Sequence, residues 1–156
     1  MPLSFRAVAL DQEPAASLVG AMREEMMELY EGLDLDEPRM PRAGPVELGP
    51  PDGIFLVGFD STERPVCGGG IKRLSDEACE IKRMYVVPEA RGRGVGRELL
   101  AGLEEAAREL GYRVARLDTG PRQPKAERMY RLAGYRPIDN FNANPVASYF
   151  GEKHLT

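Results

Sequence analysis

The chain has 156 residues, 42% of them hydrophobic and 29% charged, with a formal net charge of -4 and a sequence pI of about 5.2. This length suits one domain, 1–156, around a single core, and no apolar run approaches the ~20 residues needed to span a bilayer. The acidic balance without Lys/Arg runs argues against nucleic acid. Two cysteines make no disulfide scaffold, and the start lacks a charged-then-apolar leader, so the cytoplasm is the simplest location.

In chain order, residues 4–10 read as a strand. Residues 14–30 read as a helix with Leu18, Ala21, Met22, Met26 and Leu29 on its apolar side; the Met22, Met26 and Met27 group suits core filling. Residues 31–52 are acidic and then rich in Pro and Gly, a long loop with room for one short helix, and loops of this length are usually functional or mobile. Strands follow over 53–60, 65–74 (interrupted by Gly68-Gly69-Gly70) and 77–87. A turn at Ser75-Asp76 would set Leu74 opposite Glu77 and Cys79 opposite Lys72, leaving Cys67 beyond disulfide reach of Cys79. Residues 95–110 carry Leu99, Leu103, Ala106 and Leu110 at helical spacing, closed by Gly111 at a left-handed position. A strand over 113–118, a short helix over 124–133 and strands over 135–138 and 147–153 complete the chain. This order predicts an α/β (α+β) fold: a mixed, mostly antiparallel sheet, helices on both faces, and one parallel step across the 95–110 helix.

Between the strand at 77–87 and the helix at 95–110 stands Arg91-Gly92-Arg93-Gly94-Val95-Gly96, followed by Arg97. Strand, glycine loop and helix N-terminus together make an anion site, because open backbone amides and the helix dipole converge there. The arginines add charge and bidentate donors. The run is neither a P-loop nor a dinucleotide fingerprint, since Arg97 stands where the third glycine of the latter would fall.

What remains, Arg-x-x-Gly-x-Gly, resembles the signature loop of the GCN5-related N-acetyltransferase (GNAT) superfamily. Downstream, Gln123-x-x-Ala126-x-x-x-Tyr130-x-x-x-Gly134-Tyr135 is similar to that family's Asn-x-x-Ala-x-x-x-Tyr-x-x-x-Gly-aromatic element, with Gln123 in place of Asn. The resemblance covers about 64–138. It implies the GNAT fold, in which a parallel strand pair splays apart, and acetyl-coenzyme A (acetyl-CoA) as co-substrate without a metal. Residues 91–97 would hold the pyrophosphate, and Gln123 would meet the pantetheine arm. Backbone amides of Met84, Tyr85 and Val86 would polarise the thioester carbonyl from a strand bulge.

The implied reaction transfers an acetyl group directly to a primary amine of a small molecule or peptide. Glu80, eleven residues before Arg91, is the candidate base and Tyr130 the candidate acid for the departing thiolate. Against these roles stand a Glu80–Lys82 ion pair and a core-packing Tyr130. Asp118 reads as the cap of a turn. Residues 1–79 carry seven Lys/Arg and fifteen Asp/Glu, and residues 80–136 thirteen and eight, so a basic half suits the anionic cofactor and an acidic half suits a cationic acceptor. By the resemblance, the stretch from Glu24 to Glu37 would flank the acceptor entrance. A non-catalytic acyl-CoA-binding or sensor module is the alternative function, and a homodimer is compatible with either.

Overall fold

The computed structural model describes residues 2–156. Strands β1 (Ser4–Ala7), β2 (Ile54–Phe59), β3 (Pro65–Arg73), β4 (Ala78–Val86), β5 (Val114–Thr119), β6 (Arg136–Pro137) and β7 (Tyr149–His154) form one sheet in the order β1-β2-β3-β4-β5-β7-β6. Helices are α1 (Ala15–Leu29), α2 (Val95–Glu109) and α3 (Pro124–Leu132), with a single 3-10 turn at Pro88–Ala90. All strand pairs are antiparallel except β4 with β5. The mixed, mostly antiparallel sheet anticipated from the sequence is therefore present, and its parallel step crosses through α2.

Alternation along the strands divides the interior into two cores. Leu56, Ile71, Cys79, Ile81, Ala115 and Leu117 pack with Leu99, Leu100 and Leu103 of α2. Phe55, Val57, Phe59 and Tyr85 pack on the opposite face with Leu18, Val19 and Met22 of α1. Helix α2 ends as its sequence dictates. Gly111 takes φ +97°, its amide bonds Arg108 O at 3.0 Å, and Tyr112 N–H reaches back to Ala107 O at 3.0 Å, a complete Schellman closure. Gly134 closes α3 in the same manner, with Tyr135 N–H on Tyr130 O at 3.1 Å. Tyr135 thereby enters the core and donates to the buried Glu104 at 2.9 Å.

Three details depart from the sequence reading. The β3–β4 hairpin pairs Arg73 with Cys79 and Lys72 with Glu80, one residue out of the expected register. Leu74 N–H and Ser75 N–H both bond Ala78 O, so the turn is longer than the Ser75-Asp76 pair suggested. Even with the shifted register Cys67 and Cys79 remain apart, as expected, and both are free and buried. Residues 31–52 hold no helix, only isolated turns such as Leu48 N–H to Gly44 O at 3.0 Å. That segment is pinned to the sheet rather than loose: Leu48 is 1% exposed, Lys72 Nζ donates to Arg42 O at 2.7 Å, and Tyr112 Oη donates to Asp52 O at 2.6 Å.

The feature that creates the site lies in β4. Its pairing with β5 covers only Ala78–Val114, Cys79–Ala115 and Glu80–Arg116, after which the two strands run on unpaired. On its other edge the register slips between Gly68 and Gly70, where Tyr85 and Lys82 face the two ends of a three-residue stretch of β3. The extra residue is accommodated at Arg83, whose φ is +59°, so β4 carries a bulge. Side-chain parity reverses across it: Ile81 belongs to the α2-side core, and so do Met84 and Val86. Gly69, opposite the bulge, leaves room for Leu103: a Cβ there would sit 2.8 Å from Leu103 Cδ1, so that side chain would have to shift.

Candidate active site

The loop before α2 has the geometry of an anion cradle. Gly92 and Gly94 take φ +81° and +82°, which frees the backbone to turn its amides outward. Glu98 is the first residue of the helix to bond back, donating to Gly94 O at 3.1 Å. Among the described residues, the six amides from Gly92 to Arg97 donate to no protein acceptor. A Cβ built on Gly92 meets nothing within 4 Å. The three arginines divide. Arg91 is tied to Val86 O (2.9 Å) and Glu25 (2.8 Å), and Arg93 to Glu89 O (2.7 Å). Arg97 has no protein partner among the described residues. Open amides, a helix N-terminus and one free guanidinium fit a pyrophosphate group.

Below this loop, the gap between β4 and β5 opens into a cleft of about 130 Å³. Its walls are Ile81, Lys82, Arg83 and Met84 from β4, Asp118 and Thr119 from β5, and Gln123 and Tyr130 from α3 and its approach. The bulge anticipated at Met84 to Val86 lies one step earlier, at Arg83, while Tyr85 and Val86 remain in register with Gly68 and Cys67. Tyr130 is 7% exposed. Its hydroxyl faces Met84 Sδ at 3.7 Å, and its ring stands edge-on to Tyr135 at 6.1 Å. Burial, with Asp118 nearby, pushes the phenol well above the usual tyrosine range, so the proton stays on the oxygen. Gln123 turns its Oε1 to the hydroxyls of Tyr30 (3.2 Å) and Thr119 (3.4 Å).

Glu80 does not face the cleft. It is 0% exposed, and its Oε2 accepts from Lys82 Nζ at 2.9 Å and from Asn142 Nδ2 at 2.7 Å. The same Asn142 Nδ2 donates to Asp118 Oδ2 at 2.7 Å, and Asn144 Nδ2 reaches that oxygen at 3.0 Å. One amide thus bridges two carboxylates, and Asp118 is the one lining the cleft. Asp118, Lys82, Arg83, Asn142 and Asn144 were not legible as site residues. Asp118 carried one signal, its position at the end of a strand beside a glycine.

The rest of the wall comes from α1 and the segment after it (Met22, Met26, Tyr30, Leu33, Leu35, Met40 and Pro41), from Gly120, and from Asn144, Val146 and Ala147 before β7. Of the methionines, Met22 is core and Met27 is 50% exposed. The acidic stretch flanks this wall without lining it. Glu25 pairs with Arg91, Asp36 with Arg23 and Glu37 with Arg39. Tyr30 closes the far end: Arg122 N–H donates to its hydroxyl at 3.3 Å, and a Cβ on Gly120 would overlap that hydroxyl.

Comparison with known proteins agrees with this geometry. The pattern of the Acetyltransferase (GNAT) family matches residues 19–135. An IAA acetyltransferase of Azospirillum brasilense is 36% identical over 111 residues, 69% of this chain and 72% of that one. A solved Klebsiella pneumoniae structure superposes with a TM-score of 0.76 at 27% identity, covering 99% of this chain and 98% of its own. The fold is also that of a GNAT family acetyltransferase from Elizabethkingia anophelis with acetyl-CoA bound, at a TM-score of 0.69, 14% identity and 98% coverage of both chains. With that pattern spanning α1 to Tyr135, and the glycine loop, splayed strands and cleft all within or beside it, the chain belongs to the GNAT family of acetyltransferases.

Proposed function

We propose that the protein transfers an acetyl group from acetyl-CoA directly to a primary amine of a small molecule or peptide. The observation that carries this reading is the loss of β4–β5 pairing beyond Glu80 and Arg116. Where that pairing stops, the cleft opens with Tyr130 on its wall, and the open amides of residues 92–97 follow the end of the same strand β4. Acetyl-CoA, when bound, supplies an activated acyl group.

The chain's own residues do the rest. Amides of 92–97, with Arg97, hold the pyrophosphate, and Gln123 borders the arm. The bulge at Arg83 and Met84 interrupts the ladder where a carbonyl oxygen needs donors. Tyr130 offers its retained proton to the departing sulfur. The amine proton passes to the Asp118–Asn142–Glu80 cluster, in which Asp118 faces the cleft and Glu80 stands behind it, reachable only through other groups.

The test pairs calorimetric titration of coenzyme A with a thiol assay of its release from acetyl-CoA across an amine panel. Tight binding with amine-dependent release supports the transferase. Tight binding with no release for any amine favours the acyl-CoA-binding module.

A further inference from the structure

Arg83 is an anomaly within the cleft. It holds a left-handed backbone conformation at φ +59°, which is strained for a side-chain-bearing residue. It lines the cleft, yet its Nε is shielded from solvent without a hydrogen-bond partner, and among the described residues its guanidinium makes no ion pair. Burial and the neighbouring Arg23 lower its pKa. The acids that face it are all committed elsewhere. Asp36 accepts from Arg23 at 2.8 Å, Glu80 from Lys82 and Asn142, and Asp118 from Asn142 and Asn144. Arg23 comes from α1 and Lys82 from the same strand as Arg83, so the elements packed around Arg83 add further positive charge. A half-buried guanidinium on the cleft wall, with its Nε unpartnered and the nearby acids bonded elsewhere, is placed to receive an anion entering the cleft.

Across the same cleft stands Asp118, an acceptor for an ammonium. Met22, Met26, Leu35 and Met40 give the same cleft an apolar side. From this we infer that the acceptor is a zwitterion: an amine directed to Asp118, an anionic carboxylate or phosphonate engaged by Arg83, and an apolar body between the methionines. This refines the cationic acceptor suggested by the acidic first half of the sequence: Glu25, Asp36 and Glu37 of that half pair with arginines, and the carboxylate lining the cleft is Asp118. The inference rests on the transferase reading, and both are tested below.

The experiment measures coenzyme A release with matched amines that differ only in the anion: L-methionine against L-methioninamide, and aminomethylphosphonate against its diethyl ester. Protein variants are the parent, Arg83→Gln and Arg83→Lys, and coenzyme A binding is followed by calorimetry in each. The uncharged mates carry the less basic amines, so intrinsic reactivity favours them and a preference for the anionic members must come from the protein. In the parent, kcat/KM should favour the anionic member of at least one pair by about tenfold or more, the range expected of a charge-assisted hydrogen bond. The pair that shows it separates carboxylate from phosphonate. Arg83→Gln should abolish the preference, read as the ratio of kcat/KM for the two members of a pair within each variant so that any common effect on the bulge cancels, and Arg83→Lys should retain its direction. Coenzyme A affinity should be unchanged throughout. A parent that favours the uncharged mates, or a preference that survives in Arg83→Gln, overturns the assignment of Arg83 and leaves the transferase reading standing. Intact coenzyme A binding with no release from any amine overturns both.

Discussion

Replacing Glu80 by Gln separates a structural carboxylate from a catalytic one. Glu80 is 0% exposed, and the Lys82 side chain it pairs with at 2.9 Å is 7% exposed. Gln keeps the shape and can still accept from Asn142, but it leaves the Lys82 ammonium buried, with Lys72 on the paired strand opposite. Breaking a buried pair from one side costs about 3–5 kcal/mol. Taking the lower figure, the midpoint of thermal unfolding should fall by roughly 6–12 °C for a chain of this size. Lys82→Met should cost a similar amount by stranding Glu80. The double variant removes both charges and should recover to within about 1 kcal/mol of the parent, so the two single effects are strongly non-additive. The assay is urea unfolding of all four proteins at neutral pH, with the slope checked for constancy. Parental stability in Glu80→Gln would refute the argument. If that variant also lost the lower inflection of the pH–rate profile, the carboxylate would be a proton acceptor, not a counter-ion.

Tyr130→Phe deletes a hydroxyl whose one protein contact is Met84 Sδ at 3.7 Å. Stability should change by less than about 1 kcal/mol, while turnover drops about 10²-fold at unchanged coenzyme A affinity; parental turnover would return Tyr130 to core packing. Gly94→Val meets little obstruction, since the nearest atom to a Cβ there is Arg97 Nη2 at 3.5 Å. Its effect arises from φ +82°, which a β-branched residue resists. Calorimetry should show coenzyme A affinity reduced at least about tenfold, or 1.4 kcal/mol, in a folded protein, and unchanged affinity removes the cradle assignment. All six tyrosines have phenols raised by burial. Because the folded state binds these protons more tightly, their contribution is intact below the unfolded tyrosine value of about 10 and is lost as pH rises above it. Phenolate absorbance and loss of secondary structure should therefore appear together in alkali, and tyrosine ionisation well before unfolding would contradict this.

The sequence by itself determined the order of elements and the glycine loop that opens α2, because both depend on local rules. Gly111 and Gly134 close helices through hydrogen bonds spanning six residues, and Gly92 and Gly94 supply left-handed backbone wherever the rest of the chain goes. Helical periodicity located α2 and its buried Leu99 and Leu103 without reference to the sheet they cover. The acceptor end was decided only in three dimensions. Asn142 reaches Glu80 across 62 positions and Asp118 across 24, a bridge that no spacing encodes. The hairpin register was missed by one residue because Ser75-Asp76 does not specify a turn length as Asn-Gly does. The bulge at Arg83 lies opposite Gly69, on a neighbouring strand. Counting charges gave an acidic half and a basic half, whereas in the folded chain Glu25, Asp36 and Glu37 pair with arginines and Arg83 lines the cleft. Charge composition is additive along a chain, but the electrostatics of a cleft depend on which charges meet.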